Sequence, residues 1–94
     1  MKFTSHTLPE FRDLFKELPQ EVQEVAREAY RRFESDPYSP SLRFKHLDNP
    51  KLCSVHVKYD YRAVGRVKGN HIYWAWIGTK PDFERKFPKK RKKK

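Results

Sequence analysis

The stretch Tyr61–Lys80, YRAVGRVKGNHIYWAWIGTK, decides the fold. Apolar and polar residues alternate on both sides of Gly69-Asn70, a pair that can supply the positive φ angles of a two-residue hairpin turn. With that turn, Lys68 pairs with His71, Val67 with Ile72, Arg66 with Tyr73 and Gly65 with Trp74. Continuing without interruption, Val64 meets Ala75, Ala63 meets Trp76 and Arg62 meets Ile77. One face then sets Val67, Gly65 and Ala63 against Ile72, Trp74 and Trp76, small residues opposite large indoles. This face is expected in the core. The other face carries Arg62, Arg66 and Lys68 with Tyr73 and His71, and its arginines are expected to be exposed.

Outward from the hairpin, the period of two persists on its N-terminal side. LCSVHVK (52–58) alternates Cys53, Val55 and Val57 against Ser54, His56 and Lys58, and LRFKHL (42–47) alternates Leu42 and Phe44 against Arg43 and Lys45. Arg43, Lys45, His56 and Lys58 thus join the basic face. Further upstream the period becomes helical. Val22, Val25, Ala26, Ala29, Tyr30 and Phe33 form one stripe, ended by Asp36-Pro37. Phe11, Leu14, Phe15 and Leu18 form another, with Thr7 and Glu10 spaced as a capping box. KFTSH (2–6) reads as a first strand and PDFERKF (81–87) as a last helical turn. The expected fold class is α+β, an N-terminal strand and an αα-hairpin packed on one face of a small antiparallel sheet.

Ninety-four residues fit one domain, here residues 1–87, followed by a basic tail over 88–94. The net charge is +10, from 22 Lys and Arg against 12 Asp and Glu; the run KKRKKK (89–94) holds six of the positive charges, which leaves a net of four on the body. A basic body with a basic, partly aromatic sheet face suits a polyanion, and a phosphate backbone above all. A polar, solvated sheet face is the plainer alternative. The single cysteine, Cys53, excludes an internal disulfide, sits on the apolar side of its strand and fits a reducing, cytoplasmic setting. No apolar run is long enough to span a membrane, and the four histidines show no metal-ligand spacing.

Three stretches together carry a resemblance: LPQEVQEVAREAYRRFESDPYSPSLRFKHLDN (18–49), LCSVHVKYDYRAVGRVKGNHIYWAWIGT (52–79) and KPDFERKF (80–87). In element order and local phrasing they resemble the RelE/ParE superfamily of toxins from bacterial type II toxin–antitoxin systems. The resemblance implies a RelE-like fold and a cognate acidic antitoxin as partner. It also implies one of two targets: mRNA on the ribosome, cut by an endoribonuclease without a cofactor, or DNA gyrase, inhibited without catalysis. A degenerate member that only binds its antitoxin or RNA is a further possibility. Carried over position by position, the resemblance makes Arg62 the catalytic strand arginine. It makes Arg43 and Lys45 the basic positions at the scissile region, with Lys45 in a catalytic role. Arg66, on the same face, is an expected phosphate contact, and Lys58 and Tyr73 complete the RNA-binding set. Similar chains have His and Tyr after the W-I-G strand end, where this chain has Lys80 and Phe83. Lys80 is therefore the candidate proton donor, while Phe83 has no proton to give.

Overall fold

The structure is a computed structural model that describes residues 3–58 and 60–88. The tail Lys89–Lys94 and the first residues of the predicted opening strand lie outside these. The order is β1 (Thr4–Thr7), α1 (Pro9–Lys16), α2 (Gln20–Ser35), a 3-10 turn over Pro40–Leu42, β2 (Lys45–His46), β3 (Leu52–Val57), β4 (Tyr61–Lys68), β5 (His71–Thr79) and α3 (Lys80–Lys86). The sheet order is β1-β5-β4-β3-β2. β1 runs parallel to β5 and the other pairings are antiparallel, so the sheet is mixed rather than purely antiparallel. The two helices between β1 and the hairpin provide the long connection that a parallel neighbour needs.

Both helical stripes are where the sequence puts them. Val22, Ala26, Ala29 and Phe33 of α2 are buried, and Phe11, Leu14 and Phe15 of α1, with Leu18 beyond it, pack half-buried beside them. Phe33 is the central contact, 5.9 Å from Phe3, 5.9 Å from Phe44 and edge-on to Trp74 at 5.2 Å. From the sheet, Cys53, Val55, Val57, Ala63, Ile72, Trp74 and Ile77 complete this core. Burial pushes the Cys53 thiol up to about 12, the behaviour of an inert core thiol. Asp36 ends α2 in an extended conformation, as a residue before proline should. The capping box does not form. Leu8 is the N-cap of α1, and the Thr7 hydroxyl instead accepts from Arg12 at 2.9 Å.

The hairpin turns at Gly69 (φ +60°), and its first four pairs match the expected register. Between Val64 and Gly65 the ladder shifts: Gly65 faces Trp74, but Val64 faces Trp76, and Ala75 is left as the extra residue of a bulge. Every later side chain on β5 therefore changes face. Ile77, not Trp76, joins Ala63 beneath the helical hairpin. Trp76 turns to the opposite face, where Phe83 and Phe87 of the α3 segment cover it at 6.3 and 5.6 Å. The expectation that both indoles lie under the hairpin holds for Trp74 and fails for Trp76. Gly65 is required where it stands, since a Cβ there would come within 2.9 Å of Ile72 and 3.0 Å of Trp74.

The segment before β3 also departs from simple alternation. Pro40–Leu42 coils into a 3-10 turn, and Arg43 follows with φ +48°, so only Lys45–His46 pairs as strand. Leu42 is nonetheless buried and Lys45 still lies opposite Ser54, on the face away from the hairpin. Among the described residues, no helix is long and apolar enough to cross a membrane.

Candidate nucleic-acid interface

Three strands bring one row together on the hairpin-free face. His56 of β3 lies opposite Arg62 of β4, which lies opposite Gly78 of β5. The Trp76 indole sits over Gly78, so tightly that a Cβ there would be 2.6 Å from the ring. Arg62 thus stands between an imidazole and an indole. Its relative exposure is 9%, a correction to the expectation of an exposed arginine. The change of face at Trp76 accounts for it, because an indole now stands where alternation would place only Ala75.

Burying a guanidinium is costly unless a counter-charge meets it. Arg62 donates one hydrogen bond, to the Tyr61 carbonyl at 3.1 Å. Among the described residues Arg85 pairs with Asp82 within α3, and no carboxylate pairs with Arg62. Arg43 and Lys45, both exposed, add their charges to the same neighbourhood. Arg43 follows the 3-10 turn with a left-handed backbone.

His56 registers this environment. Its pKa is lowered by its own burial first, then by the charges of Arg62, Arg43 and Lys45, against a weaker opposite pull from Asp60. The imidazole is held neutral, able to accept a proton, amid cations able to hold an oxyanion. Protonation of His56 therefore waits until pH falls below the ordinary histidine range near ~6.5. In an NMR titration the His56 ring should show a midpoint below that of a free histidine. Arg62→Ala, which removes a charge and admits water, should move the midpoint upward. An unshifted midpoint in the parent chain would contradict the described cation cluster.

The row gathers Arg62, Lys45 and Arg43 of the residues anticipated from sequence. Lys80 is exposed at the first position of α3, its backbone N–H donating to the Asp60 carbonyl at 2.7 Å. Its charge is not among those that depress His56. Lys58 is exposed just past β3, and Arg66 and Tyr73 pair with each other near the hairpin turn, at the other end of the face. Phe83, where similar chains have Tyr, packs on Trp76. His56 was the residue not singled out as a site. The signal was present, since alternation in β3 puts it on the basic face and the β3–β4 register puts it against Arg62. Among the described residues no group of three or more His, Cys, Asp or Glu could hold a metal ion.

The fold is an α+β one, a mixed sheet with a helical hairpin on one face and, on the other, cations with no ion-pair partner among the described residues around His56. The chain belongs to the ParE-like toxin domain family, whose model matches residues 20–85. Its fold is similar to that of a chain in the RelBE2 toxin–antitoxin complex from Mycobacterium tuberculosis, with a TM-score of 0.67 and 15% identity over 84% of this chain and 99% of that one. It is similar to the free E. coli toxin RelE in an arginine-to-alanine double mutant, with a TM-score of 0.67 and 15% identity over 89% and 90% of the two chains. A chain of the RelB–RelE antitoxin–toxin complex from Methanococcus jannaschii gives a TM-score of 0.66 and 15% identity over 88% and 99%. A comparison with curated protein sequences finds no match.

Proposed function

We propose that this chain is the toxin of a toxin–antitoxin pair and that it cleaves mRNA on the ribosome, with the scissile phosphate seated on the Arg62 row. The observation that carries this reading is Arg62 itself, a buried cation with no carboxylate partner among the described residues, beside a histidine held neutral. Cations arranged before the substrate arrives, in a partly dry site, act most strongly where charge grows in the transition state.

RNA supplies its own nucleophile. The 2′-OH attacks the neighbouring phosphorus while the bond to the 5′ oxygen breaks, leaving a 2′,3′-cyclic phosphate and a 5′-OH. His56, neutral at pH 7, takes the 2′ proton. Arg62, with Arg43 and Lys45, meets the charge on the phosphate oxygens. The departing 5′ oxygen needs a proton, and Lys45, an ammonium group whose charge acts on His56, is the donor in this scheme. Lys80, at the start of α3, is a peripheral phosphate contact in this scheme. The target, the cytoplasmic setting and the antitoxin belong to the proposal.

The antitoxin has a fitting place on the opposite side. A groove of about 490 Å³ opens between the helical hairpin and the sheet, floored by Phe33, Val55, Ala63 and Trp74 and flanked by Arg12, Arg27 and Arg31. The Trp74 Nε1–H at its floor has no hydrogen-bond partner among the described residues. An acidic segment with apolar anchors matches that surface.

Two assays test the function. Purified chain should cut mRNA on translating ribosomes, read by primer extension, and should leave gyrase supercoiling unchanged. Expression alone should arrest growth, and co-expression of the antitoxin should restore it. Intact message together with inhibited gyrase would replace the nuclease reading by the gyrase one, which the match to a ParE-like model keeps as the second reading. Normal growth on strong expression of the folded chain would remove both.

A further inference from the structure

The hairpin-free face has a second end that the cleavage scheme leaves unused. His71 and Tyr73 stand two residues apart on β5, just past the turn, and His6 of β1 is in register with Tyr73. The three rings are nearly parallel. His6 stacks on Tyr73 with centroids 4.6 Å apart and planes at 13°, and on His71 at 5.3 Å and 25°. His6 Nε2 and His71 Nδ1 are 3.1 Å apart, one ring donating and the other accepting, which ties the edge strand to the hairpin.

β5 lies between β1 and β4. His6 therefore covers the β1 side of the Tyr73 ring, and the other side looks toward β4. There Arg66 is the cross-strand neighbour of Tyr73, and Lys68 that of His71. Both cations are exposed, and neither has a hydrogen-bond or ion-pair partner among the described residues. Two like charges on one strand face repel, and an anion between them relieves that repulsion. A brace for the edge strand would need the rings alone. A ring stacked on one side, with exposed cations on the neighbouring strand at the other, suits a base and its phosphate.

We propose that His6, His71 and Tyr73 form a stacking platform for one unstacked nucleobase of single-stranded RNA, with Arg66 and Lys68 taking the adjoining phosphate. Arg66 is four residues along β4 from Arg62, roughly 13 Å, so this base belongs to a nucleotide beside the scissile one. The platform holds and aligns the strand and takes no part in bond breaking. It rests on the reading of RNA as substrate.

The test uses the full chain and a short 2′-O-methyl RNA, which cannot be cleaved, carrying 2-aminopurine as a fluorescent base. The parent chain should bind it and quench the base. Tyr73→Ala and His6→Ala should each weaken binding by roughly five- to a hundredfold and relieve the quenching, the range for loss of one base stack. Tyr73→Phe should bind like the parent, which separates stacking from any role of the hydroxyl. Arg66→Ala should lower the slope of log affinity against log salt by about one. Circular dichroism melts establish that each variant is folded. If Tyr73→Ala and His6→Ala bind and quench like the parent, the platform is overturned while cleavage at Arg62 still stands. If binding depends on Tyr73 but ribosome-bound message stays intact, the platform stands and the nuclease reading falls. If the parent binds no RNA, free or on vacant ribosomes, both fall. A Tyr73-dependent loss seen with vacant ribosomes and not with the oligonucleotide would support the platform with ribosomal RNA as the source of the base.

Discussion

Replacing Arg62 with alanine should lower cleavage of ribosome-bound message by roughly a hundredfold to a thousandfold, the range for removing one preorganised oxyanion donor, or about 2.7 to 4 kcal/mol of transition-state stabilisation. Ribosome binding should fall much less, because exposed Arg43, Lys45 and Arg66 remain to meet phosphates. Stability should move the other way or not at all. Among the described residues the buried Arg62 guanidinium has one backbone hydrogen bond and no carboxylate partner, so its removal relieves a desolvation cost. That combination distinguishes a charge that serves the substrate from an ordinary structural arginine. Single-turnover cleavage, ribosome pelleting and a thermal melt on the same variant read the three quantities. A variant that cleaves like the parent would remove Arg62 from the chemistry. One that melts far earlier would show that the arginine holds the sheet together instead. Lys80→Ala gives the contrast, since an exposed helix-start lysine should change the cleavage rate little.

The elements were legible in the sequence because their signals are local. A stripe at helical spacing gives α1 and α2 whatever lies opposite. Alternation gives β3, and Gly69-Asn70 anchors the hairpin through its first four pairs. What local signals do not carry is an inserted residue. Ala75 is as acceptable in regular pairing as in a bulge, and the pairing Ala63–Trp76 is as plausible a small-large match as the true Gly65–Trp74. The bulge is decided by tertiary packing. Regular pairing would put two indoles under the hairpin and leave Phe83 and Phe87 without an indole to pack on, whereas the bulge gives each side of the sheet one tryptophan. The site suffers the same limit. The identity of the basic face follows from alternation, but Arg62's burial follows from the bulge. His56 matters because Arg43 and Lys45, from the segment after a 3-10 turn, add their charges there to that of Arg62.

The bulge also predicts that the two tryptophans fail differently. Trp76→Ala should destabilise the chain by about 3 to 5 kcal/mol, the cost of deleting a large buried aromatic side chain. The damage should be specific. Trp76 is the surface on which Phe83 and Phe87 pack, and it caps the row that holds Arg62. Without it, α3 loses its seat, amide exchange in Lys80–Lys86 should approach that of an open helix, and Arg62 should become accessible to water. A guanidinium in water interacts more weakly with phosphate, so cleavage should fall even under conditions where the variant is fully folded. Trp74→Ala should cost a similar amount on the other side of the sheet. It removes the edge contact to Phe33 and part of the floor of the groove, so antitoxin binding should suffer while α3 and the Arg62 row stay in place. Hydrogen exchange of the two variants, read at α3, separates the cases. If Trp74→Ala frees α3 and Trp76→Ala does not, the bulge at Ala75 is misplaced, and the burial of Arg62 loses its cause.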